Sequence, residues 1–188
     1  VLGSVHRRRV LRRFGARPGD FVYLSGQTGA AAVGFEALGA GRTGGFEACA
    51  NRFLRPEPRV RLGLLAGRNQ AASAAIDLSD GLADGLRQVA SASDVGLDLD
   101  AAAIPIAQDA RRWFEQRGAD PLDAAIAGGE DYELLLAVPP RRRRAFEAVT
   151  RLAGIGCTRI GRVTRGPGIA LARSGDEVPL PVGYAHFR

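Results

Sequence analysis

The stretch Ala74-Ala75-Ile76-Asp77-Leu78-Ser79-Asp80-Gly81-Leu82-Ala83-Asp84 decides the fold of the chain around it. Its apolar start, 74–76, predicts a short buried strand bounded by polar residues. Since strand side chains alternate between two faces, Asp77 and Ser79 should lie on the opposite face from Leu78. Polar and apolar side chains are therefore expected to separate at this strand end.

The residues that follow this strand predict a helix. Leu82, Leu86, Val89 and Ala90 recur at helical spacing, and Asp80 precedes them at the position of an N-cap. The stretch as a whole is therefore expected to form a strand-to-helix turn.

Three carboxylates, those of Asp77, Asp80 and Asp84, converge on this turn with the hydroxyl of Ser79. A helix N-terminus attracts phosphate, but carboxylates beside it would repel a phosphate unless a hard cation lay between them. A small number of oxygen ligands of this kind suits Mg²⁺, which is usually bound by the protein and by substrate phosphates together. The alternative is an aspartate cap beside two solvated acids, and the motif alone does not decide between them.

The composition is that of a soluble globular chain. Of 188 residues, 46% are hydrophobic and 24% are charged, which suits one good core or one domain with extensions. No run approaches the roughly 20 apolar residues of a membrane span. No signal peptide opens the chain, so we expect a cytoplasmic protein without a membrane partner. Cys49 and Cys157 are isolated, which argues against a disulfide framework or a zinc site.

The charge balance is basic, with 26 basic and 20 acidic residues and a net charge of +6. Every basic residue apart from the histidines is arginine, which indicates a compositional bias rather than a particular partner. The arginine runs at 7–9 and 141–144 are of a kind that can mark nucleic-acid patches. No aromatic residues are interleaved with the second run, so we expect no nucleic-acid partner.

Strands and helices alternate along the rest of the chain. Strands are predicted at 21–25, 97–99, 132–138, 157–163 and 169–173, and helices at 30–38, 47–54, 58–67, 106–116, 122–127 and 146–153. The apolar body of 132–138 indicates a strand covered on both faces. The alternation predicts a layered α/β or α+β domain. A cleft that gathers the central turn and the acidic residues 130–131 is one arrangement that the sequence allows.

Five segments of the chain occur in the order seen in thiamine-monophosphate kinases. They are Arg13-Phe14-Gly15-Ala16-Arg17-Pro18-Gly19-Asp20, Arg55-Pro56-Glu57-Pro58-Arg59, Ala75-Ile76-Asp77-Leu78-Ser79-Asp80-Gly81-Leu82, Gly128-Gly129-Glu130-Asp131-Tyr132-Glu133-Leu134 and Tyr184-Ala185-His186-Phe187. The chain resembles the C-terminal portion of that family, which belongs to the superfamily of aminoimidazole-ribonucleotide synthetase and selenophosphate synthetase. The resemblance implies an α+β domain at 21–188, a layered sheet with covering helices like the C-terminal domain of aminoimidazole-ribonucleotide synthetase. Residues 1–20 would be a remnant strand and linker from a missing N-terminal domain.

The resemblance also implies a nucleotide and metal site. Asp77 and Asp80 would be magnesium ligands, Ser79 would contact ATP, and Arg13 would meet the nucleotide phosphates. The implied reaction is transfer of the γ-phosphoryl group of ATP to thiamine monophosphate, which gives thiamine diphosphate. Because that acceptor is already a phosphate, the reaction needs positioning and charge neutralisation rather than a strong general base.

Glu130 and Tyr184 would hold thiamine monophosphate, a carboxylate near the cationic thiazolium ring and an aromatic ring for stacking. Without the resemblance, a strand-end acid and a C-terminal packing ring would be the preferred interpretations.

The chain departs from the family pattern in two ways. Gly85 stands where the family usually has leucine, which weakens the helix locally. The family's N-terminal domain, with its further magnesium ligands and the interface of an implied homodimer, is absent, so we expect the isolated chain to be inactive. The alternatives are another ATP-dependent enzyme of the superfamily, such as a selenophosphate synthetase, and a non-catalytic basic binding module.

Overall fold

The computed structural model describes residues 4–7 and 9–183. Within them, seven strands form one sheet. The strands are β1 Phe21–Ser25, β2 Ala74–Asp77, β3 Gly96–Asp100, β4 Leu134–Val138, β5 Cys157–Thr164, β6 Ile169–Arg173 and β7 Asp176–Pro179. The α-helices are α1 Ala30–Gly39, α2 Glu47–Leu54, α3 Val60–Arg68, α4 Leu82–Ser93, α5 Gln108–Glu115, α6 Pro121–Ala127 and α7 Arg143–Ala153.

The sheet has the strand order β2-β4-β1-β5-β3-β6-β7. Its neighbouring strands are antiparallel except for β3 and β6, which are parallel. β2 lies at one edge of the sheet, where Ile76 faces Leu135 and Asp77 faces Leu134 of β4. Along its other side, the amide of Ala75 donates a hydrogen bond of 2.8 Å to the carbonyl oxygen of Arg12. This bond places the N-terminal segment beside the strand that carries Asp77.

Apolar side chains cover both faces of the central strand β4. Leu135 and Ala137 belong to a core that contains α4 residues such as Leu86. Leu136 and Val138 alternate with them and belong to a core on the other face that contains Phe146 of α7. The prediction of a strand covered on both faces is confirmed, as is the α+β fold with a layered sheet and covering helices.

A third cluster lies among α1, α2 and α5. Trp113 packs its indole edge-on against Phe46, with ring centroids 4.8 Å apart. The indole Nε1–H donates a hydrogen bond of 2.7 Å to the carboxylate of Glu36 on α1. These contacts hold α5 against α1 and against the residue that precedes α2.

The prediction that Asp80 caps α4 is wrong. The N-cap is Gly81, which has φ +94° and ψ 173° and forms no side-chain cap hydrogen bond. A Cβ at this position would overlap the carbonyl oxygen of Gly128. The chain therefore makes its turn at the one residue without a side chain, and the helix begins at Leu82.

Gly85 also has a packing role. A Cβ at this position would overlap the side chain of Leu78. The glycine lets α4 approach the end of β2 closely, which offsets its low helix propensity.

The predicted strand at 132–138 begins later, at Leu134. Glu130 and Tyr132 have φ values of +67° and +51°, and this left-handed backbone is incompatible with a regular strand. The edge strand β7 was not predicted from the sequence at all. Among the described residues, no helix is long and apolar enough to cross a membrane.

Candidate active site

The acidic segment, which comprises residues 130–133, lies directly against the central turn. The amide of Leu78 donates to the carbonyl oxygen of Glu133 at 2.9 Å, and the amide of Tyr132 donates to that of Leu78 at 3.1 Å. The amide of Glu130 then donates to the carbonyl oxygen of Ser79 at 2.8 Å. These bonds extend the pairing of β2 with β4 and bring the two acid clusters of the sequence together.

A cleft of about 1040 Å³, here called the main cleft, opens beside this turn. The predicted nucleotide and metal residues that line it are Arg13, Asp77, Ser79 and Asp80. Asp77 is exposed at the end of β2, whereas Ser79 and Asp80 are half-buried. The fold therefore gathers these residues around one space, although 64 to 67 positions separate Arg13 from the other three.

Arg13 is oriented by side chains of α4. Its Nη1 donates a hydrogen bond of 2.9 Å to Oε1 of Gln88. The amide nitrogen of Gln88 in turn donates to the carboxylate of Asp84. Since Asp84 and Gln88 also line the main cleft, the guanidinium is held at the part of the cleft wall that α4 forms, where it can attract a phosphate.

A second cavity of about 360 Å³ lies on the other side of the turn. It is lined by Ala31, Ala32, Phe35, Glu36, Phe53, Ser79, Asp80, Gly128, Gly129 and Glu130. The rings of Phe35 and Phe53 lie 5.4 Å apart, and Phe35 is 63% exposed. Aromatic walls beside carboxylates suit a cationic ring.

Ser79 and Asp80 line both the main cleft and the second cavity. The predicted substrate residue Glu130 lines only the second cavity. Tyr184, the other predicted substrate residue, lies outside the described residues. Ser79 and Asp80 therefore belong to the walls of both spaces.

The oxygen donors of the main cleft fit Mg²⁺ in one particular way. Among residues 4–7 and 9–183, no group of three or more His, Cys, Asp or Glu side chains could hold a metal ion. Asp77 and Asp80 are nonetheless carboxylates on the wall of one cleft. Magnesium is usually held through one or two carboxylates together with substrate phosphates rather than by an all-protein cage, and this donor set matches that arrangement.

Asp131 is a structural residue that the sequence did not predict. It is 1% exposed, and its carboxylate accepts hydrogen bonds from the amides of Gly29 at 2.9 Å and Ala31 at 3.4 Å. It thereby binds the N-terminal end of α1, where the helix dipole favours negative charge. Burial raises the pKa of Asp131 to about 7, against the lowering effect of these two amides.

Glu133 is the second unpredicted structural acid. It is also 1% exposed and accepts a hydrogen bond of 2.5 Å from the hydroxyl of Ser25. Arg52 binds its Oε1 at 2.5 Å, and Arg59 binds both carboxylate oxygens, at 2.6 and 2.8 Å. Both arginines lie more than 70 positions away along the chain, so no local pattern could have predicted these ion pairs.

Tyr132 is a further residue of the site without a predicted role. A hydrogen bond with Glu130 raises the pKa of the Tyr132 hydroxyl, and the charges of Asp77 and Asp80 act in the same direction. The hydroxyl therefore lies within the electrostatic field of the carboxylates of both cavities.

Comparison with known families shows that most of the chain matches one known domain. Residues 17–173 match the family described as AIR synthase related protein, C-terminal domain. The chain is similar to the thiamine-monophosphate kinase of Escherichia coli strain K12, with 37% identity over all of this chain and 58% of that protein. It is also similar to that of Halobacterium salinarum, with 39% identity over 87% of this chain and 52% of that protein. The chain thus spans about half the length of these relatives.

Solved structures agree with this match. The thiamine-monophosphate kinase from Stenotrophomonas maltophilia K279a has a TM-score of 0.81 and 34% identity, over 93% of this chain and 56% of its own. AaThiL complexed with AMPPCP and TMP has a TM-score of 0.79 and 32% identity, over 94% of this chain and 54% of its own. The hydrogenase maturation protein HypE of E. coli, at 19% identity and a TM-score of 0.72, shares the fold.

Proposed function

The chain belongs to the family of AIR synthase related proteins, through their C-terminal domain, and from this premise we propose that it provides one half of a thiamine-monophosphate kinase site. The reaction is the magnesium-dependent transfer of the γ-phosphoryl group of ATP to thiamine monophosphate, which yields thiamine diphosphate. The homodimer that the family resemblance implies and the cytoplasmic location expected from the sequence belong to the same proposal.

The main cleft is the proposed nucleotide side. Arg13, held by Gln88, would bind the nucleotide phosphates, and Ser79 would donate its hydroxyl to ATP. Asp77 and Asp80 would hold Mg²⁺, which when bound neutralises charge between the phosphates and polarises the transferred group. Their number agrees with a metal that substrate phosphates complete.

The second cavity is the proposed acceptor side. Its carboxylate Glu130 is exposed and would attract the cationic thiazolium ring, while Phe35 and Phe53 offer aromatic surface to the rings of thiamine. Tyr184 would add a further ring from the C-terminal segment. The AMPPCP and TMP bound by the similar AaThiL correspond to the two substrates of this proposal.

One observation carries the proposal further than the others. Ser79 and Asp80 are shared by the two cavities, so the γ-phosphate and the acceptor phosphate would meet at these residues. Phosphoryl transfer depends on holding donor and acceptor in line and on offsetting charge, and it demands little covalent chemistry from the protein. Carboxylates, a hydroxyl and a guanidinium around one junction meet these requirements.

The chain spans 58% of the E. coli relative, so the test compares the chain alone with a completed protein. We expect the 188-residue chain to fold but to form no thiamine diphosphate above background from ATP and thiamine monophosphate. Its cleft would be open to water, which weakens each electrostatic contact. Fusion of the N-terminal part of that relative before Val1 should restore magnesium-dependent turnover.

The fusion protein also supplies the control. Replacement of Asp77 by alanine in the fusion protein should remove turnover again while leaving its folding intact. A fusion protein that folds but binds neither substrate would overturn the proposed function. Steady turnover by the isolated chain would overturn only the requirement for a second half.

A further inference from the structure

The acidic segment contains two residues with strained backbone conformations. Glu130 has φ +67° and Tyr132 has φ +51°, and neither is a glycine. A non-glycine residue in this left-handed region costs on the order of 1 kcal/mol or more, and it persists only where the surrounding structure determines it. Glu130 lines the second cavity, and the hydroxyl of Tyr132 forms a hydrogen bond with Glu130, so the contacts that impose the strain also set the direction of both side chains.

The two alternate residues of the segment point inwards and are anchored in the core. Asp131 binds the amides at the N-terminal end of α1, and Glu133 binds Ser25 of β1. These anchors fix the side chains of the inward residues. They do not by themselves fix the peptide group between Asp131 and Tyr132, whose rotation changes φ of Tyr132.

Arg52 of α2 contacts that peptide group directly. Its Nη2 donates a hydrogen bond of 2.9 Å to the carbonyl oxygen of Asp131 and another of 2.5 Å to Oε1 of Glu133. Only 16% of the Arg52 side chain is exposed, so solvent competes weakly for these bonds. One guanidinium thus joins the backbone of the strained segment to its buried carboxylate.

We propose that Arg52 is a positioning residue, which holds the peptide between Asp131 and Tyr132 in the orientation that directs Glu130 and Tyr132 into the candidate site. The ligand for which Glu130 is positioned, thiamine monophosphate, rests on the proposed function. The positioning itself rests on the contact of Arg52 with the carbonyl oxygen of this peptide, whose N–H donates to the carbonyl oxygen of Leu78.

Arg59 provides a matched control within the same cluster. It binds Glu133 through two nitrogens and is equally exposed, at 16%, but among the hydrogen bonds of the described residues it makes none to the backbone of the acidic segment. Arg52→Gln and Arg59→Gln each remove one positive charge from Glu133. Arg59 makes two hydrogen bonds to Glu133 and Arg52 makes one. A role limited to neutralising Glu133 therefore predicts that Arg59→Gln has at least as large an effect as Arg52→Gln, whereas positioning predicts a larger effect from Arg52→Gln.

The first experiment measures amide hydrogen exchange by NMR in the 188-residue chain. The amides of Glu130 and Tyr132 donate to Ser79 and Leu78, so their protection reports the position of the segment. Relative to amides of β4, which report wider opening, we expect Arg52→Gln to accelerate exchange at both residues by about tenfold or more. Arg59→Gln should accelerate it by no more than about threefold. Equal acceleration, or none with Arg52→Gln, would overturn the proposal.

Arg52→Lys keeps the experiment informative if Arg52→Gln does not fold. Lysine retains the positive charge but lacks the planar fork of donors. We therefore expect exchange rates between those of the wild-type chain and those of a chain that has lost the contact to Asp131. If the amides of Glu130 and Tyr132 in Arg52→Lys exchange at the wild-type rate while the melting temperature falls, positioning is contradicted. A positive charge at residue 52 would then be enough to hold the segment.

The second experiment measures thiamine monophosphate affinity by calorimetry in the fusion protein described above. Arg52→Gln should raise the Kd by about tenfold, and Arg59→Gln by less than about threefold. Equal losses would overturn the positioning of Glu130. If the wild-type fusion protein binds no thiamine monophosphate, the proposed function fails, while the exchange experiment still decides whether Arg52 positions the segment.

Discussion

The acids around the central turn divide into two regions with opposite surroundings. Asp77 and Glu130 are exposed to the two cavities. Asp131 and Glu133, by contrast, are each 1% exposed and receive hydrogen bonds from backbone amides, a hydroxyl and arginines. Residues of the same chemical type, even neighbours such as Glu130 and Asp131, thus have different surroundings.

The difference follows from what each carboxylate binds. A buried polar group is stable only when it is hydrogen-bonded, so the side chains of Asp131 and Glu133 are committed to their contacts with α1 and with Arg52 of α2. The acids at the cavities remain accessible to a cation or a cationic ring. The residue type alone does not separate the buried acids from the acids at the cavities. What separates them is whether the side chain points into the core or towards a cavity.

The largest effect is expected from Glu133→Ala. Removal of one member of a buried ion pair leaves uncompensated charge and typically costs about 3–5 kcal/mol. The partial exposure of Arg52 and Arg59, 16% each, favours the lower end of that range. Glu147→Ala is the control, since this exposed acid pairs with Arg143 one helical turn away and should cost less than about 0.5 kcal/mol. Urea unfolding measures the loss of stability in both variants. Similar losses would contradict a special structural role of the buried acids.

Substitutions at the cleft should behave in the opposite way. Asp77→Ala and Asp80→Ala should each abolish magnesium-dependent nucleotide binding but change stability by less than about 1 kcal/mol. Asp98→Ala, which removes an exposed acid paired with Arg162 on β5, is the control and should leave binding intact. Calorimetry that finds the same magnesium–ATP affinity in both cleft variants would contradict their assignment as ligands.

The buried acid Asp131 should give stability an unusual dependence on pH. Its pKa is raised from 3.8 to about 7 in the folded chain, so between these values the folded state binds the proton that the unfolded state has lost. Its contribution to stability is therefore present at low pH and is lost as pH rises through 7.

Asp131→Asn tests this dependence because it keeps an acceptor oxygen for the amide of Gly29. The difference in unfolding free energy between the wild-type chain and this variant should change with pH by at most about 1.4 kcal/mol per pH unit. Arg52 lowers the pKa and Glu133 raises it, so substitutions at these residues would shift the window. A difference that stays constant from pH 4 to pH 7, the range roughly between the two pKa values, would contradict a buried proton on Asp131.

The smallest effect is expected at the arginine run 141–144, whose residues are all exposed. If solvation rather than pairing governs these charges, their replacement by glutamine should change stability by less than about 0.5 kcal/mol. Any weak retention of the chain on DNA should also be nearly unchanged. Retention that falls steeply with salt in the wild-type chain and vanishes in the variant would instead indicate a specific nucleic-acid partner.

The sequence predicted most of the regular structure because the relevant signals are local. The apolar run at 21–25 predicted β1, and apolar residues at helical spacing over 146–153 predicted α7. The apolar body of 132–138 predicted a strand covered on both faces, which the structure has at Leu134–Val138. Local signals failed where a distant backbone intervened. Gly81 replaces Asp80 as the N-cap because the carbonyl group of Gly128 occupies the space that a side chain would need.

The candidate site divides along the same line. A resemblance in the order of motifs indicated Arg13, Asp77, Ser79, Asp80 and Glu130, and the fold brings these residues to two adjoining cavities. Their roles as ligands remain predictions, as does that of Tyr184. The contacts of Arg52 with Asp131 and Glu133 had no signal in the sequence, because 79 and 81 positions separate these residues.

The sequence by itself thus determined most of the segments that form strands and helices, although not β7, since side-chain periodicity and turn chemistry act over a few residues. It also determined the chemical type of every group at the turn. Only the tertiary structure decided which acids are buried, which face a cavity and which peptide Arg52 holds. Those outcomes depend on the packing of β2, β4 and α2. A carboxylate is buried where this packing brings hydrogen-bond donors to its oxygens, and it stays accessible where it does not.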